Sequence, residues 1–394
     1  VKEIRLSLRR LTADKADKKV LQSAVVATDG AGLKPWREVL QPHEDVATGN
    51  FHAAEFAADL YKVATGDAED DYGEPVQFFA RTYLTDGLKD LLGRAVRRLS
   101  GDDNASPVIN LQTNFGGGKT HSMLGLWHIA SGTPIGEYPQ ELQELLQDTP
   151  LGEIGEVRRV ALVGNHMATE GSTKPDGTHV RTMWGELAWQ LGGREAYDMV
   201  ASSDASSTPP GDALHDLLEA YSPCVILIDE WVAYARTLVT KDDLPAGTFD
   251  EQFTFAQALT EAVKGTSGAL LAISIPASES GDDSKAVKGN EEEVGGAHGL
   301  LALERLQNVV RLLADQWRPA SSNEAYHIVR RRLFREPGAD ALAHINDTAR
   351  AFVELYHKFP DDFPRDARGG AYEERIKQTY PIHPALFDQL YTGW

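Results

Sequence analysis

The fold prediction rests on the segment Pro107-Val-Ile-Asn-Leu-Gln-Thr-Asn-Phe-Gly-Gly-Gly-Lys-Thr-His121 of this 394-residue chain. A short apolar run leads into three consecutive glycines, and Lys119, Thr120 and a helical pattern follow. A strand, a glycine loop and a helix in this order typically hold a nucleoside triphosphate, because backbone N–H groups and the positive end of the helix face the phosphates. The segment therefore predicts a phosphate-binding loop.

The residue types in this loop carry distinct chemistry. Lys119 is expected to reach the β- and γ-phosphates, and the Thr120 hydroxyl is expected to bind Mg²⁺. The full pattern G-x-x-x-x-G-K-[ST] has glycine where this chain has Thr113, so a glycine-rich turn before Lys-Thr is the alternative interpretation. The predicted nucleotide-binding residues are Asn114, Phe115, Gly116, Gly117, Gly118, Lys119, Thr120 and His121.

A second segment, Cys224-Val-Ile-Leu-Ile-Asp-Glu230, is an apolar run that ends in two carboxylates. A continuous run of this kind predicts a strand buried on both faces of a parallel sheet, and ligands of such sheets bind beyond the carboxyl ends of the strands. We expect Asp229 to hold the Mg²⁺ shell, directly or through water, and Glu230 to orient and polarise the attacking water. A polar strand end is the alternative.

The order of elements predicts the fold class. Strands are expected at 158–165, 224–229, 268–275 and 309–313, with helices between them, and one helical period runs over 76–98. This alternation predicts an α/β protein with a doubly wound parallel sheet flanked by helices. The predicted segments are a charged arm or linker (1–30), an N-terminal helical region (31–105), a nucleotide-binding core (106–316) and a C-terminal helical lid (317–394).

Composition restricts the class of protein. The net charge of −20 disfavours nucleic-acid binding as a property of the whole surface, and the patches around Arg9-Arg10 and Arg330-Arg332 are either solvated helix faces or nucleic-acid contacts. The sequence has no apolar run of the ~18 residues that a membrane span needs. A single cysteine and no signal-like N-terminus predict a reducing, cytoplasmic setting. The first residue is Val1 and the last follows a helical pattern, so we expect a piece of a longer protein.

In the order of its elements, the chain resembles a P-loop ATPase of the AAA+ type. These elements are the glycine loop, the acid-tipped strand, a later strand ending near Ser274 and a helical end. Several strings resemble a bacterial family of large AAA+ ATPases that occur in anti-phage defence gene clusters and are often joined to a HEPN-type domain. The similarity runs from about Leu33 to the end, and threonine at the first loop position is familiar there. These strings are LKPWREV from Leu33, AEFAADL from Ala54, LQTNFGGGKTH from Leu111, TKPDGT from Thr173 and YPIHPALF from Tyr380.

The resemblance implies further site residues. Asn165 would hold Glu230 inactive until a partner binds, although it also fits a turn. Ser274 would sense the γ-phosphate, although its hydroxyl also fits a bond to backbone. Arg305 would reach the nucleotide of a neighbouring subunit, and Arg311 and Arg318 compete for that role.

The expected function is therefore ATP binding and Mg²⁺-dependent hydrolysis, coupled to conformational change in a bacterial anti-phage defence assembly. The expected partners are other copies of the chain, sharing ATP sites, and other defence proteins. A nucleotide-gated switch or scaffold with slow turnover is one alternative, and a nucleic-acid translocase is another, which the acidic charge disfavours. The sequence contains no recognised guanine-reading motif, so the resemblance alone favours ATP over GTP.

Overall fold

The computed structural model describes residues 33–49, 58–113, 118–147, 149, 156–239, 244–276, 296–311, 314–317 and 324–392. The chain forms two compact units. The helical unit comprises the described parts of Val1–Gly49 and Val329–Trp394, and the sheet unit those of Asn50–Ile328. Within these ranges, each helix is either too short or too polar to span a lipid bilayer.

The sheet unit is built on five parallel strands. The strands, numbered along the chain, are β1 (Val108–Thr113), β2 (Arg158–Val163), β3 (Ser172–Thr173), β4 (His179–Val180), β5 (Cys224–Asp229), β6 (Ala269–Pro276) and β7 (Asp315–Trp317). The order across the main sheet is β2-β5-β6-β1-β7, and every neighbouring pair is parallel. The two short strands β3 and β4 form an antiparallel hairpin. The predicted α/β parallel sheet with flanking helices is confirmed.

Helices precede, connect and follow these strands. They are α1 (Trp36–Val39), α2 (Glu44–Thr48), α3 (Leu60–Thr65), α4 (Asp70–Gly73), α5 (Pro75–Arg81), α6 (Asp86–Leu99), α7 (Lys119–Ile129), α8 (Gln140–Leu146), α9 (Met183–Asp198), α10 (Ala201–Ser206), α11 (Ala213–Tyr221), α12 (Trp231–Thr237), α13 (Phe249–Gly265), α14 (Ala297–Arg311), α15 (Ala325–Leu333), α16 (Ala339–Lys358), α17 (Gly370–Thr379) and α18 (Pro384–Thr392). Several begin with the expected capping chemistry. At the start of α13, the Thr248 and Glu251 side chains form a reciprocal capping box.

Two hydrophobic cores cover the two faces of the sheet. Because successive strand residues point to opposite faces, Val225 and Leu227 belong to one core, whereas Ile226 and Ile228 belong to the other. The first core includes buried residues of α3 and α5–α8, and the second includes those of α9 and α11–α14. All six residues of β5 are buried, as the continuous apolar run predicts, and burial raises the pKa of the Cys224 thiol to about 12.

The edge strand β2 is protected by a side chain. The Gln190 amide on α9 accepts a hydrogen bond from Ala161 N (2.8 Å) and donates one to Ala161 O (3.1 Å). These two bonds reproduce the pairing that a further strand would supply. The side chain therefore satisfies backbone groups that edge strands otherwise leave open.

The helical unit joins the two ends of the described chain. Residues 41–43 pair with residues 333–335: His43 N donates to Leu333 O (3.1 Å) and Arg335 N donates to Gln41 O (2.9 Å). Within the predicted basic patch, Arg330 is partly buried and donates to the carbonyls of Lys377 and Gln378. This side chain therefore satisfies carbonyl groups near the end of α17, and it is not part of a wholly solvated helix face. The patch at Arg9-Arg10 lies outside the described residues.

Several predicted boundaries differ from the structure, and three of the differences have a clear physical reason. The strand predicted over 309–313 is wrong, because Leu303, Leu306 and Val310 are buried at helical spacing and α14 continues to residue 311. The helical period over 76–98 is interrupted, because Thr85 caps a new helix by accepting from Leu88 N (3.1 Å). The predicted region 31–105 is divided between the two units, since its part after residue 58 packs on the sheet.

Candidate active site

The strand order places a topological switch point at the carboxyl ends of β1 and β6. These strands are neighbours, and Thr113 is in register with Pro276. The helix that follows β1 (α7) packs on one face of the sheet, whereas the next described helix after β6 (α14) packs on the other. Such a topological switch point is where open α/β sheets bind ligands.

Three oxygen-bearing side chains meet at this edge of the sheet. Thr120 Oγ1 donates to Asp229 Oδ2 at 2.9 Å, and Ser274 Oγ donates to Asp229 Oδ1. All three groups lie on the sheet face that α7 covers, and Asp229 is only 3% exposed. The glycine-loop motif and the acid-tipped strand, 109 residues apart, are therefore in direct contact.

The donor set fits a hard divalent cation. A carboxylate and two hydroxyls offer only oxygen atoms, and Mg²⁺ prefers oxygen ligands supplied by one or two carboxylates, hydroxyls and water. Of this set, Thr120 and Asp229 would hold the ion. The structure thus brings together the two residues for which the sequence predicts metal contacts.

The helix α7 begins at the predicted lysine. Gly118 adopts a left-handed conformation (φ 78°) at the N-cap, and its carbonyl accepts from both the backbone N–H and the hydroxyl of Ser122 (2.9 and 2.8 Å). Lys119 and Thr120 then occupy the first turn, where amide groups have no partner within the helix. Both side chains are partly buried. The predicted loop residues Asn114, Phe115, Gly116 and Gly117 lie outside the described residues.

Glu230 lies one residue beyond the buried acid. Its backbone is left-handed (φ 55°, ψ 33°), its side chain is exposed, and its N–H donates to Asp229 Oδ1 at 3.1 Å. The two adjacent carboxylates therefore have different environments. Asp229 is buried among hydroxyls, and Glu230 faces solvent at the same sheet edge.

Asn165 lies on the turn that follows β2. The pairing of Val163 with Asp229 aligns the ends of β2 and β5, and residues 164–166 then form a single 3-10 turn. Asn165 is exposed on this turn, and the His166 ring stacks on Tyr61 at 4.0 Å between centroids and 4° between planes. Within this turn, it is the neighbouring Gly164 whose backbone approaches the Glu230 carbonyl.

Arg305, the first candidate for the arginine that acts on a neighbouring subunit, has partners elsewhere in its own chain. Arg305 forms an ion pair with Asp250, and its guanidinium lies 5.3 Å from the ring centroids of both Phe249 and Phe253. It therefore lies on the opposite face of the sheet from Thr120, against α13. The Arg311 side chain and all of Arg318 lie outside the described part of the chain.

The His121 side chain contacts Thr82 and Phe78. The single hydroxyl hydrogen of Thr82 is donated to Phe78 O (2.7 Å). In its contact with His121 Nε2 (3.0 Å), the Thr82 oxygen is therefore the acceptor, and Nε2 carries the hydrogen. The imidazole packs on Phe78 with a centroid separation of 4.7 Å. The contact ties the residue after Thr120 to helix α5.

Sequence reasoning missed Gly164. A Cβ atom there would lie 2.1 Å from the Glu230 carbonyl oxygen, which only glycine avoids. The sequence did contain a signal for this residue, namely a glycine directly after a buried strand and before Asn165. A glycine in such a position often marks a place where two backbone segments approach closely.

Comparison with known proteins places the chain in one family. The DUF499 N-terminal domain profile matches residues 34–297, about two thirds of the chain. No curated protein and no solved structure matches it. The matched range includes the Thr120, Asp229 and Ser274 cluster, together with Glu230 and Asn165. The chain therefore belongs to the DUF499 N-terminal domain family.

Proposed function

We propose that this chain is an ATP-hydrolysing P-loop module of the AAA+ type that requires Mg²⁺. One observation carries the proposal: Thr120 Oγ1 donates to Asp229 Oδ2 at 2.9 Å, at the topological switch point of a parallel sheet. A hydroxyl at the start of the loop helix and a carboxylate at the end of a buried strand are the pair that holds a nucleotide-bound cation in P-loop proteins. The choice of ATP rests on the family resemblance.

Each site residue has a separate role in the in-line attack of water on the γ-phosphorus. Lys119 and the first amides of α7 bind and orient the phosphates, which accounts for much of the rate enhancement in phosphoryl transfer. Bound Mg²⁺ supplies charge neutralisation at the phosphate oxygens. Glu230 orients the water and accepts its proton. Ser274 would sense the γ-phosphate, a role that its bond to Asp229 and its position on β6, between β1 and β5, support.

Assembly and setting are proposals of the same kind. We propose that hydrolysis drives conformational change in an anti-phage defence assembly in the cytoplasm, with other copies of this chain and other defence proteins as partners. An arginine acting on a neighbouring subunit would complete the site. If that arginine is Arg305, its ion pair with Asp250 must open when subunits assemble.

A phosphate-release assay tests the proposal. Steady-state release in the unmodified chain should require Mg²⁺, should disappear in Lys119→Ala and should fall to a small residual rate in Glu230→Gln. Lys264→Ala and Glu261→Gln, on the exposed face of α13, are matched controls that should retain the rate. Equal rates in all five proteins, or no release, would refute hydrolysis.

The same assay distinguishes the alternatives. Tight ATP binding with negligible release would support a nucleotide-gated switch. Stimulation by duplex DNA that is lost at high salt would support a translocase. A rate per subunit that rises with protein concentration would support ATP sites shared between subunits.

A further inference from the structure

The backbone of Glu230 has an uncommon conformation. Among the described residues, Ser207 and Glu230 are the non-glycine residues with positive φ (57° and 55°). Ser207 ends the short helix α10, where a left-handed residue is ordinary. Glu230 instead connects the buried strand β5 to α12. Left-handed non-glycine residues are unfavourable and persist where surrounding structure imposes them, often at active sites.

Contacts on both sides of the Glu230 peptide unit maintain this conformation. Its N–H donates to Asp229 Oδ1 (3.1 Å), and its carbonyl accepts from Tyr234 N (3.3 Å). Tyr234 is buried and lies on α12. The preceding strand is buried throughout and paired on both sides, so it cannot shift to relieve the strain.

The third contact comes from Gly164. A Cβ atom at this position would lie 2.1 Å from the carbonyl oxygen of Glu230, 2.8 Å from its carbonyl carbon and 3.1 Å from Tyr234 Cβ. The first two are backbone atoms, which cannot rotate away as a flexible side chain can. Any side chain at position 164 therefore displaces Glu230, the 164–166 turn, or both.

The turn itself is anchored. The pairing of Val163 with Asp229 holds its first end, and Met167 N donates to Gly164 O (3.3 Å) at its other end. The His166 ring stacks on Tyr61 from α3. The turn therefore forms a fixed surface against which the Glu230 backbone is seated.

We propose that Gly164 is a positioning residue for Glu230: its lack of a side chain lets the 164–166 turn close on the Glu230 carbonyl and sets the direction of the carboxylate that orients the attacking water. This inference rests on the proposed ATP hydrolysis. A displacement of about 1 Å at a reacting group can reduce a rate on the order of 10²-fold, whereas the phosphate-binding residues on α7 belong to a different connection of the sheet. Gly164 should therefore affect turnover and leave nucleotide binding intact.

The test is a double-mutant cycle on phosphate release. Gly164→Ala should lower kcat by about 10²-fold, with ATP binding unchanged within about twofold. Because Gly164 acts through Glu230, adding Gly164→Ala to Glu230→Gln should lower the residual rate no further. Gly93→Ala on α6, where a Cβ meets nothing within 4 Å, is the matched control and should retain full activity.

A second variant keeps the test decisive if Gly164→Ala does not fold. His166→Ala removes an exposed ring from the same turn and should lower kcat several-fold in the unmodified background only. Additive effects in the cycle, a parallel loss of ATP binding, or full activity in both turn variants would overturn the inference while the proposed function stands. Absence of any Lys119-dependent phosphate release would instead overturn the proposed function and, with it, this inference.

Discussion

Protonation of His128 should destabilise the sheet unit in mild acid. This residue lies on α7, the helix that presents Thr120, and is 1% exposed. Its Nε2 donates to Tyr72 O at 2.7 Å, and within the part of the chain that is described its Nδ1 is buried with no hydrogen-bond partner. A second proton on the imidazole would thus occupy a buried site without an acceptor.

The expected size follows from the pKa. Burial, reinforced by the nearby charge of Arg159 and opposed by the bond to the Tyr72 carbonyl, lowers the pKa of His128 from 6.5 to about 4. Because the folded value lies below the unfolded one, this contribution to stability is complete above pH 6.5 and is lost as the pH falls from 6.5 to about 4. Linkage gives a loss of about 1 kcal/mol by pH 5.5 and about 3 kcal/mol by pH 4.5.

The assay is urea unfolding followed by tryptophan fluorescence at pH 7.5, 5.5 and 4.5. His128→Gln retains an amide donor for the Tyr72 carbonyl and does not titrate. Carboxylates contribute the same pH dependence to both proteins, so the difference between their unfolding free energies isolates the imidazole. Relative to the variant, the unmodified chain should lose about 3 kcal/mol on acidification. A difference that stays constant across this range would refute the reasoning.

Three further changes have defined outcomes. Thr120→Val should weaken ATP binding in Mg²⁺ much more than in chelator, measured by calorimetry; equal weakening would contradict a metal role. Gln190→Leu should lower the unfolding free energy, measured by urea titration, by about 1–3 kcal/mol, because it removes the hydrogen bonds to both the N–H and the carbonyl of buried Ala161. An unchanged unfolding midpoint would contradict that account. Gln252→Leu should raise the unfolding free energy by about 1–2 kcal/mol, since neither amide atom of this fully buried side chain has a partner among the described residues; destabilisation would show that the amide is satisfied.

Much of the sheet unit could be predicted because its signals are local. The apolar run before Asp229 could only be buried on both faces, and β5 is buried throughout. The glycine before Lys119 predicted a turn into a helix, and Gly118 is left-handed at the N-cap of α7. These patterns depend on side-chain periodicity and backbone freedom over a few residues, which sequence reports directly.

The errors arose where local patterns are ambiguous. Val309 and Val310 are typical strand residues, yet they complete α14 because burial against the sheet outweighs a weak propensity. The helical period around Thr85 is continuous in sequence, but a single capping hydroxyl divides it. The N-terminal segment near His43 pairs with residue 333, and no sequence pattern indicates a contact over 290 residues.

The candidate site shows the same division. The sequence alone determined the chemistry of the site: a lysine and a threonine directly after three glycines, and two acids at the end of a buried strand. Only the tertiary structure decided that Thr120 bonds to Asp229, that Ser274 joins them from the intervening strand, and that Gly164 closes on Glu230. The reason is physical, because a residue's type and its short-range pattern determine what it can bond, whereas strand order and crossover direction determine which distant groups come within bonding distance.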